Sequence, residues 1–368
     1  MKEAVLMRRA GILLTWIVAM GIFFLPAFTW AEEATGKDQA ALESIVTELE
    51  ELRKELAALK QETQVRDQLE ATTEEKAEET ERILTAVGQE YVLRREGSLG
   101  ITYGASYAYN DTDVLENAKA GSGLTVDHTS NHSLSNSISA QYGLRNYLTV
   151  NAAIPFIYKW DQQATSSERN ATDIGDISFG LQWQPFPTST GRASYILNTS
   201  LIIPSGASPY KIDVDEALST GSGFYSALAE LSISKPIDPI MAFGSLSYRY
   251  THEVTGLNQT RNGPNDASAL KEVSPGDTIG ASMGIAYALS YQVTLHLSCQ
   301  YSHTTSYEFD WHGGESNKTG TSTAASVNIG TGWKLSPETS ANITVGIGMT
   351  DSTSDFTLSF SMPFDFTL

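Results

Sequence analysis

Six histidines are the side chains of this 368-residue chain best suited to proton transfer near neutral pH. Three of them, His128, His252 and His312, fall in polar stretches between hydrophobic runs. A histidine meeting a serine and a third polar group would support acyl transfer. No histidine stands beside a serine at a spacing that certifies such a set, so no residue is assigned a catalytic role and no enzyme activity is expected. Asp111-Thr112-Asp113 could touch a divalent cation, but one short acidic pair is the ordinary composition of a solvated loop. The single cysteine, Cys299, allows neither an internal disulfide nor a cysteine-based zinc site. No metal and no cofactor are expected. Five ionisable residues, Lys159, Arg192, Glu230, Arg249 and His296, occupy the polar phase of alternating runs. Facing a polar interior, they would set charge selectivity or hold an inserted segment by ion pairs. Scattered interior charges without a shared role are the plainer reading. The 24 Lys and Arg against 43 Asp and Glu leave a net charge of −19, which argues against nucleic acid as a partner.

The elements that must position these residues are strands. Residues 356–368 read FTLSFSMPFDFTL, with Phe356, Leu358, Phe360, Met362, Phe364, Phe366 and Leu368 in one phase and small polar residues between them. Period two marks a strand with one apolar and one polar face. Eleven similar runs precede it from Ser98 onward. Leu99, Ile101, Tyr103, Ala105, Tyr107 and Tyr109 stripe the first, and Val293, Leu295, Leu297, Cys299 and Tyr301 the ninth. The opposite phase is small and polar: Ser133, Ser135, Ser137 and Ser139 in the second run, Thr357, Ser359 and Ser361 in the last. Such a face suits water or an inserted segment better than a packed core. Connections alternate in length, short after even-numbered runs and mostly long and polar after odd-numbered ones, as at 111–131 and 253–276. Tyr107, Tyr109, Tyr158, Trp160, Trp183, Tyr248, Tyr250 and Trp333 lie near run ends, as an interfacial girdle would. The predicted fold is all-β: a 12-stranded antiparallel transmembrane β-barrel over 98–368, in contact with outer-membrane lipid. Both chain ends are expected in the periplasm.

The residues ahead of the barrel are of another kind. Residues 1–31 read as a signal peptide, with Lys2, Arg8 and Arg9, an apolar core from Ala10 to Leu25, and the small-x-small site Thr29-Trp30-Ala31. An uncleaved anchor is the alternative. Between 32 and 97 there is no proline and the composition favours helix. Leu42, Ile45, Leu49, Leu52, Leu56 and Leu59 recur at spacings of three and four, a heptad seam that predicts a periplasmic coiled coil over 32–70. An amphipathic helix lying on a globular core is the competing reading. A second helix, about 73–95, carries Ile83, Leu84, Val87 and Tyr91 on one side. As 71–97 leads directly into the first strand, it would either fold into the lumen as a plug or continue the stalk as a linker.

Several segments resemble the Phenol_MetA_deg-type outer-membrane channel family. Tyr142-Gly143-Leu144-Arg145-Asn146-Tyr147-Leu148-Thr149-Val150 with Ile154-Pro155-Phe156, Gly175-Asp176-Ile177-Ser178-Phe179-Gly180-Leu181, Ile203-Pro204-Ser205-Gly206 and Pro275-Gly276-Asp277-Thr278 carry the likeness. With the heptad and second helix added, the layout resembles the outer-membrane secretion channel of functional-amyloid (Fap) systems. That resemblance implies a homotrimer joined through Leu42 to Leu59, a plug helix containing Ile83, Leu84, Val87 and Tyr91, and an unfolded amyloid subunit as substrate. The expected function is a gated channel exporting an unfolded polypeptide from periplasm to cell surface. Uptake of small hydrophobic or aromatic compounds is one alternative. A filled barrel serving as surface anchor or enzyme is the other.

Overall fold

The computed structural model describes residues 80–81, 83–116, 125–163, 169–187, 192–213, 217–237, 239–259, 269–336 and 339–367. The predicted signal peptide and heptad seam lie outside them. Sixteen strands are present among the described residues: β1 (Ser98–Glu116), β2 (Thr125–Arg145), β3 (Leu148–Gln163), β4 (Arg169–Ile174), β5 (Ile177–Trp183), β6 (Ser194–Ile203), β7 (Ser226–Ile237) and β8 (Ile240–Thr251). They continue with β9 (Leu270–Ser274), β10 (Thr278–Ala288), β11 (Val293–Thr304), β12 (Glu308–Trp311), β13 (Ser316–Lys318), β14 (Ser322–Ser336), β15 (Thr339–Gly348) and β16 (Phe356–Thr367).

Antiparallel neighbours run β1-β2-β3-β5-β6-β7-β8-β10-β11-β14-β15-β16 and return to β1, so the twelve predicted strands close into a barrel. The seam pairs Leu99 with Phe366, Ile101 with Phe364, Tyr103 with Met362 and Tyr109 with Phe356, and it pairs Gly100 with Asp365 and Ser106 with Ser359. Apolar meets apolar on one face and small polar meets small polar on the other, because register preserves the period of two.

Burial assigns the faces. Ile138, Phe156, Phe179, Leu201, Leu246, Met283 and Ile329 are exposed, whereas Thr149, Gln182, Ser232 and Ser298 are buried. This inverts a water-soluble domain: the apolar phase covers the outside and the polar phase lines the inside. An exposed apolar surface wrapping a closed barrel is stable only against lipid, which places the protein in the outer membrane. At one end of β1–β3, Trp160 stacks on His132 with ring centroids 4.8 Å apart and on Tyr158 at 5.0 Å, a cluster fitting the interfacial girdle.

One expectation is corrected. The stretch 111–131 is not a loop throughout. β1 and β2 stay paired out to Glu116 and Thr125, because main-chain pairing continues wherever two neighbouring strands remain in register. The fourth wall strand is present as expected, as β5, and a short additional strand, β4, pairs with β3 ahead of it, the two separated at Gly175-Asp176. The long connections are partly structured, too. β9, β12 and β13 form a small separate sheet. It is packed on Leu257, Leu270 and Val273 with Tyr210, Phe309 and Trp311 against them.

Candidate functional site

The inward face is where the sequence's polar phase and the residues ahead of β1 meet. Residues 83–87 are helical, and Gly88 N donates to Leu84 O at 2.9 Å. The helix expected to reach Arg95 stops there. A 3-10 turn, Gln89–Tyr91, follows, and Val92 is extended. The physical reason is competition. The carbonyls of Thr85, Gln89 and Glu90 are taken by side chains of the barrel wall, so a continuing helical ladder is not needed to satisfy them.

These contacts encircle the segment. Ile83, Leu84, Tyr91 and Val92 are buried together with Met241, Phe243 and Ala286, and Val87 packs against the group. Met241 and Phe243 lie in the inward phase of β8, Ala286 in that of β10. The Tyr91 and Phe243 rings meet edge-on at 5.3 Å, and Tyr91 Oη lies 3.3 Å from Ser282 Oγ. On β5, Gln182 Nε2 donates to Gln89 O at 3.2 Å. On β6, Asn198 Nδ2 donates to Glu90 O at 3.3 Å. On β15, Asn342 Nδ2 donates to Thr85 O at 3.4 Å. Gln89 Nε2 donates to Thr102 Oγ1 on β1. The segment therefore sits inside the barrel, held by strands on all sides.

Its attachment nearest β1 is ionic. Arg94 is buried; its guanidinium pairs with Asp365 of β16 and donates through Nε to Gln141 Oε1 of β2 at 3.1 Å. Arg94 N donates to Thr149 Oγ1 of β3 at 3.0 Å. Close approach at two points demands glycine. A Cβ on Gly143 would lie 2.0 Å from Arg95 O, and one on Gly332 would lie 2.6 Å from Ala86 Cβ.

Beyond the 3-10 turn the lumen opens into a polar cavity of about 330 Å3, lined by Glu90, Glu230, Ser245, Ser282, Gln300 and Ser326 among others. Glu90, on the turn and outside the wall strands, has its carboxyl pushed up to about 7 by burial, a backbone hydrogen bond opposing and nearby Glu230 adding to the rise. Glu230 Oε1 accepts from Ser232 Oγ at 3.1 Å.

The other predicted interior charges are dispersed. Lys159 Nζ donates to Ser219 O at 2.7 Å, in the connection after β6. His296 is buried, with Nε2 3.3 Å from Thr344 Oγ1. Arg249 is on β8 but exposed. Arg192 precedes β6 and is exposed, because the strand starts two residues later. His252 lies just past the end of β8, and His312 Nε2 faces Leu257 O at 3.1 Å; they are not brought together. Asp111 lies on β1 and its N–H donates to Asp355. Among the described residues no group of three His, Cys, Asp or Glu could hold a metal.

Sequence reasoning passed over the residues that grip the segment. Met241 and Phe243 left a trace, since Ile240-Met241-Ala242-Phe243 breaks the alternation that the rest of β8 keeps. Asp365 left another, as the only charge in the polar phase of the last strand. Arg94 left none, standing beside Arg95 in a charged stretch.

No protein-family model matches the chain. Among solved structures it is similar to an outer-membrane channel from Pseudomonas putida F1, at 11% identity and a TM-score of 0.56, covering 76% of this chain and 98% of that one. It also matches the translocator domain of the autotransporter NalP from Neisseria meningitidis, at 11% identity and a TM-score of 0.48 over 81% and 100% of the two chains. A third match is a mutant of the monoaromatic hydrocarbon channel TodX, at 7% identity and a TM-score of 0.42 over 79% and 94%. With its closed antiparallel wall, apolar belt and polar lumen, the chain has the fold of an outer-membrane β-barrel channel.

Proposed function

We propose that the protein is a gated outer-membrane channel that exports an unfolded polypeptide, the amyloid subunit of a Fap-like system, from periplasm to cell surface. The observation that carries this reading is the segment 83–95 inside the lumen, held by one ion pair, one small apolar patch and a set of single hydrogen bonds. Contacts of that kind are strong enough to close a pore and few enough to release it. The small, mostly polar lining suits an extended chain, which must slide without sticking. In this reading Ile83, Leu84, Val87 and Tyr91 belong to the plug, and 71–97 is a plug domain. The seam Leu42, Ile45, Leu49, Leu52, Leu56 and Leu59 would join three copies in the periplasm, which cross-linking at Leu49 or Leu52 reads directly. Deleting 71–95 should raise single-channel conductance in planar bilayers. Unchanged conductance sinks the plug and supports a filled barrel.

One observation favours uptake of small hydrophobic compounds instead. Above the break at Gly175-Asp176, the far edge of β4 meets no strand among the described residues. It is covered by the connection 204–225, where Thr220 Oγ1 donates to Ile174 O at 3.2 Å and Asp176 accepts from Ser222 N at 2.7 Å. A wall closed there by a loop could open sideways to lipid. Growth and uptake on aromatic carbon sources separate the two readings, since the export channel should leave both unchanged when deleted.

A further inference from the structure

Four of the wall's hydrogen bonds to the docked segment go to its main chain. Thr149, Gln182 and Asn198 lie in mutual register across β3, β5 and β6, Thr149 opposite Gln182 and Gln182 opposite Asn198. Along this row Thr149 Oγ1 accepts from Arg94 N, while Gln182 and Asn198 donate to the successive carbonyls of Gln89 and Glu90. On the other side of the lumen Asn342 donates to Thr85 O. Because each amide faces a carbonyl, its nitrogen must be the atom presented.

The other half of each amide is unused. Gln182 Oε1, Asn198 Oδ1 and Asn342 Oδ1 are buried without a hydrogen-bond partner, and Gln182 and Asn342 are 4% and 6% exposed. Buried acceptors are normally satisfied. A side-chain amide offers one carbonyl and one NH2 group, which is the complement of a peptide group's N–H and C=O. The docked segment supplies carbonyls to these amides but no N–H, so it uses half of what the wall presents.

We propose that Thr149, Gln182, Asn198 and Asn342 form a peptide-main-chain site in the lumen, vacated by the docked segment and taken by an extended polypeptide in transit. Such a site reads the backbone common to any sequence, and an extended chain, whose N–H and C=O groups both lack internal partners, satisfies both halves of each amide. An aromatic hydrocarbon satisfies neither. The inference rests on the export reading and names how that substrate class is held.

The test uses the full-length chain in planar bilayers and measures blockade dwell times within open-channel intervals only. Measured this way, any effect on docking of the segment itself does not enter. The probe is a 30-residue unstructured Gly/Ser/Asn peptide, compared with polysarcosine of equal length, which keeps peptide carbonyls but has no N–H. The peptide should block about tenfold longer than polysarcosine. In the triple variant Gln182→Met, Asn198→Leu, Asn342→Leu both dwells should shorten, since polysarcosine loses the donors to its carbonyls, and the peptide's should shorten more, until the gap between the two polymers closes. Equal dwell for the two polymers in the unsubstituted channel, or a peptide dwell unaffected by the substitutions, overturns the site while leaving export standing. A channel that conducts ions yet is never blocked by peptide overturns the export reading itself. Heat-modifiable migration on gels verifies folding. Should the triple variant not fold, Asn342→Leu alone reads the same quantity, with a drop of about twofold expected and no drop refuting the site.

Discussion

Replacing Asp365 by Asn should unlatch the lumen segment. Arg94 is 8% exposed as a side chain and its partner Asp365 is 47% exposed. Removing one partner of a fully buried pair costs about 3–5 kcal/mol, and of an exposed pair at most about 1 kcal/mol. Half-exposure of the carboxylate puts the loss between these, at about 1–3 kcal/mol. The Arg94 guanidinium would keep its bond to Gln141 Oε1 but lose its countercharge. If the pair holds only the docked form, that loss multiplies the ratio of open to closed channel by roughly 5–150. The assay is single-channel recording of full-length protein, scoring opening frequency at fixed voltage. Salt supplies an internal control: raising ionic strength from about 0.1 M to 1 M should increase opening in the parent channel and have little effect on Asp365→Asn. The double variant Arg94→Met, Asp365→Leu should close more often than either single variant, because it leaves no unpaired buried charge. An opening frequency within twofold of the parent in a correctly folded Asp365→Asn channel would refute the latch.

Three further outcomes follow from the same geometry. The docked Glu90 carboxyl has its pKa raised from 4.5 to about 7, so the docked form holds the proton more tightly. Docking is then strongest below about pH 4.5 and weakens as pH rises through 7, by roughly 3 kcal/mol at most; channels should open more often at pH 8 than at pH 5, and Glu90→Gln should flatten the profile. Gly332→Val places side-chain atoms where Ala86 sits, so it should expel the helical turn and give permanently raised conductance without altering heat-modifiability. Phe243→Ala removes the ring under Tyr91 and should weaken docking by about 2–3 kcal/mol. In a Cys299→Ser background, a thiol introduced by Ala86→Cys should then label at least tenfold faster, and an unchanged rate argues that the apolar patch does not hold the segment.

What the sequence determined by itself was the wall. Strand existence, the sorting of Ile138, Phe179 and Met283 to lipid and of Ser137, Ser232 and Ser298 to the lumen, and closure of 356–368 on the first strand were legible, because alternation is a local property that survives any register in which apolar meets apolar. The alternating lengths of the connections were legible for the same reason. The extended β1–β2 hairpin and the break between β4 and β5 were not, since both depend on where pairing stops and not on which residues alternate. The site was hidden more deeply. Thr149, Gln182 and Asn198 are unremarkable polar residues far apart in sequence, and only the stagger of neighbouring strands sets them side by side. Arg94 and Asp365 are 271 positions apart and meet because the last strand closes on the first. Met241 and Phe243, apolar residues facing a polar lumen, find their reason only when Tyr91 and Leu84 enter it. A lumen's chemistry belongs to the ring of strands and to what is folded inside it, and no single stretch of chain contains that ring.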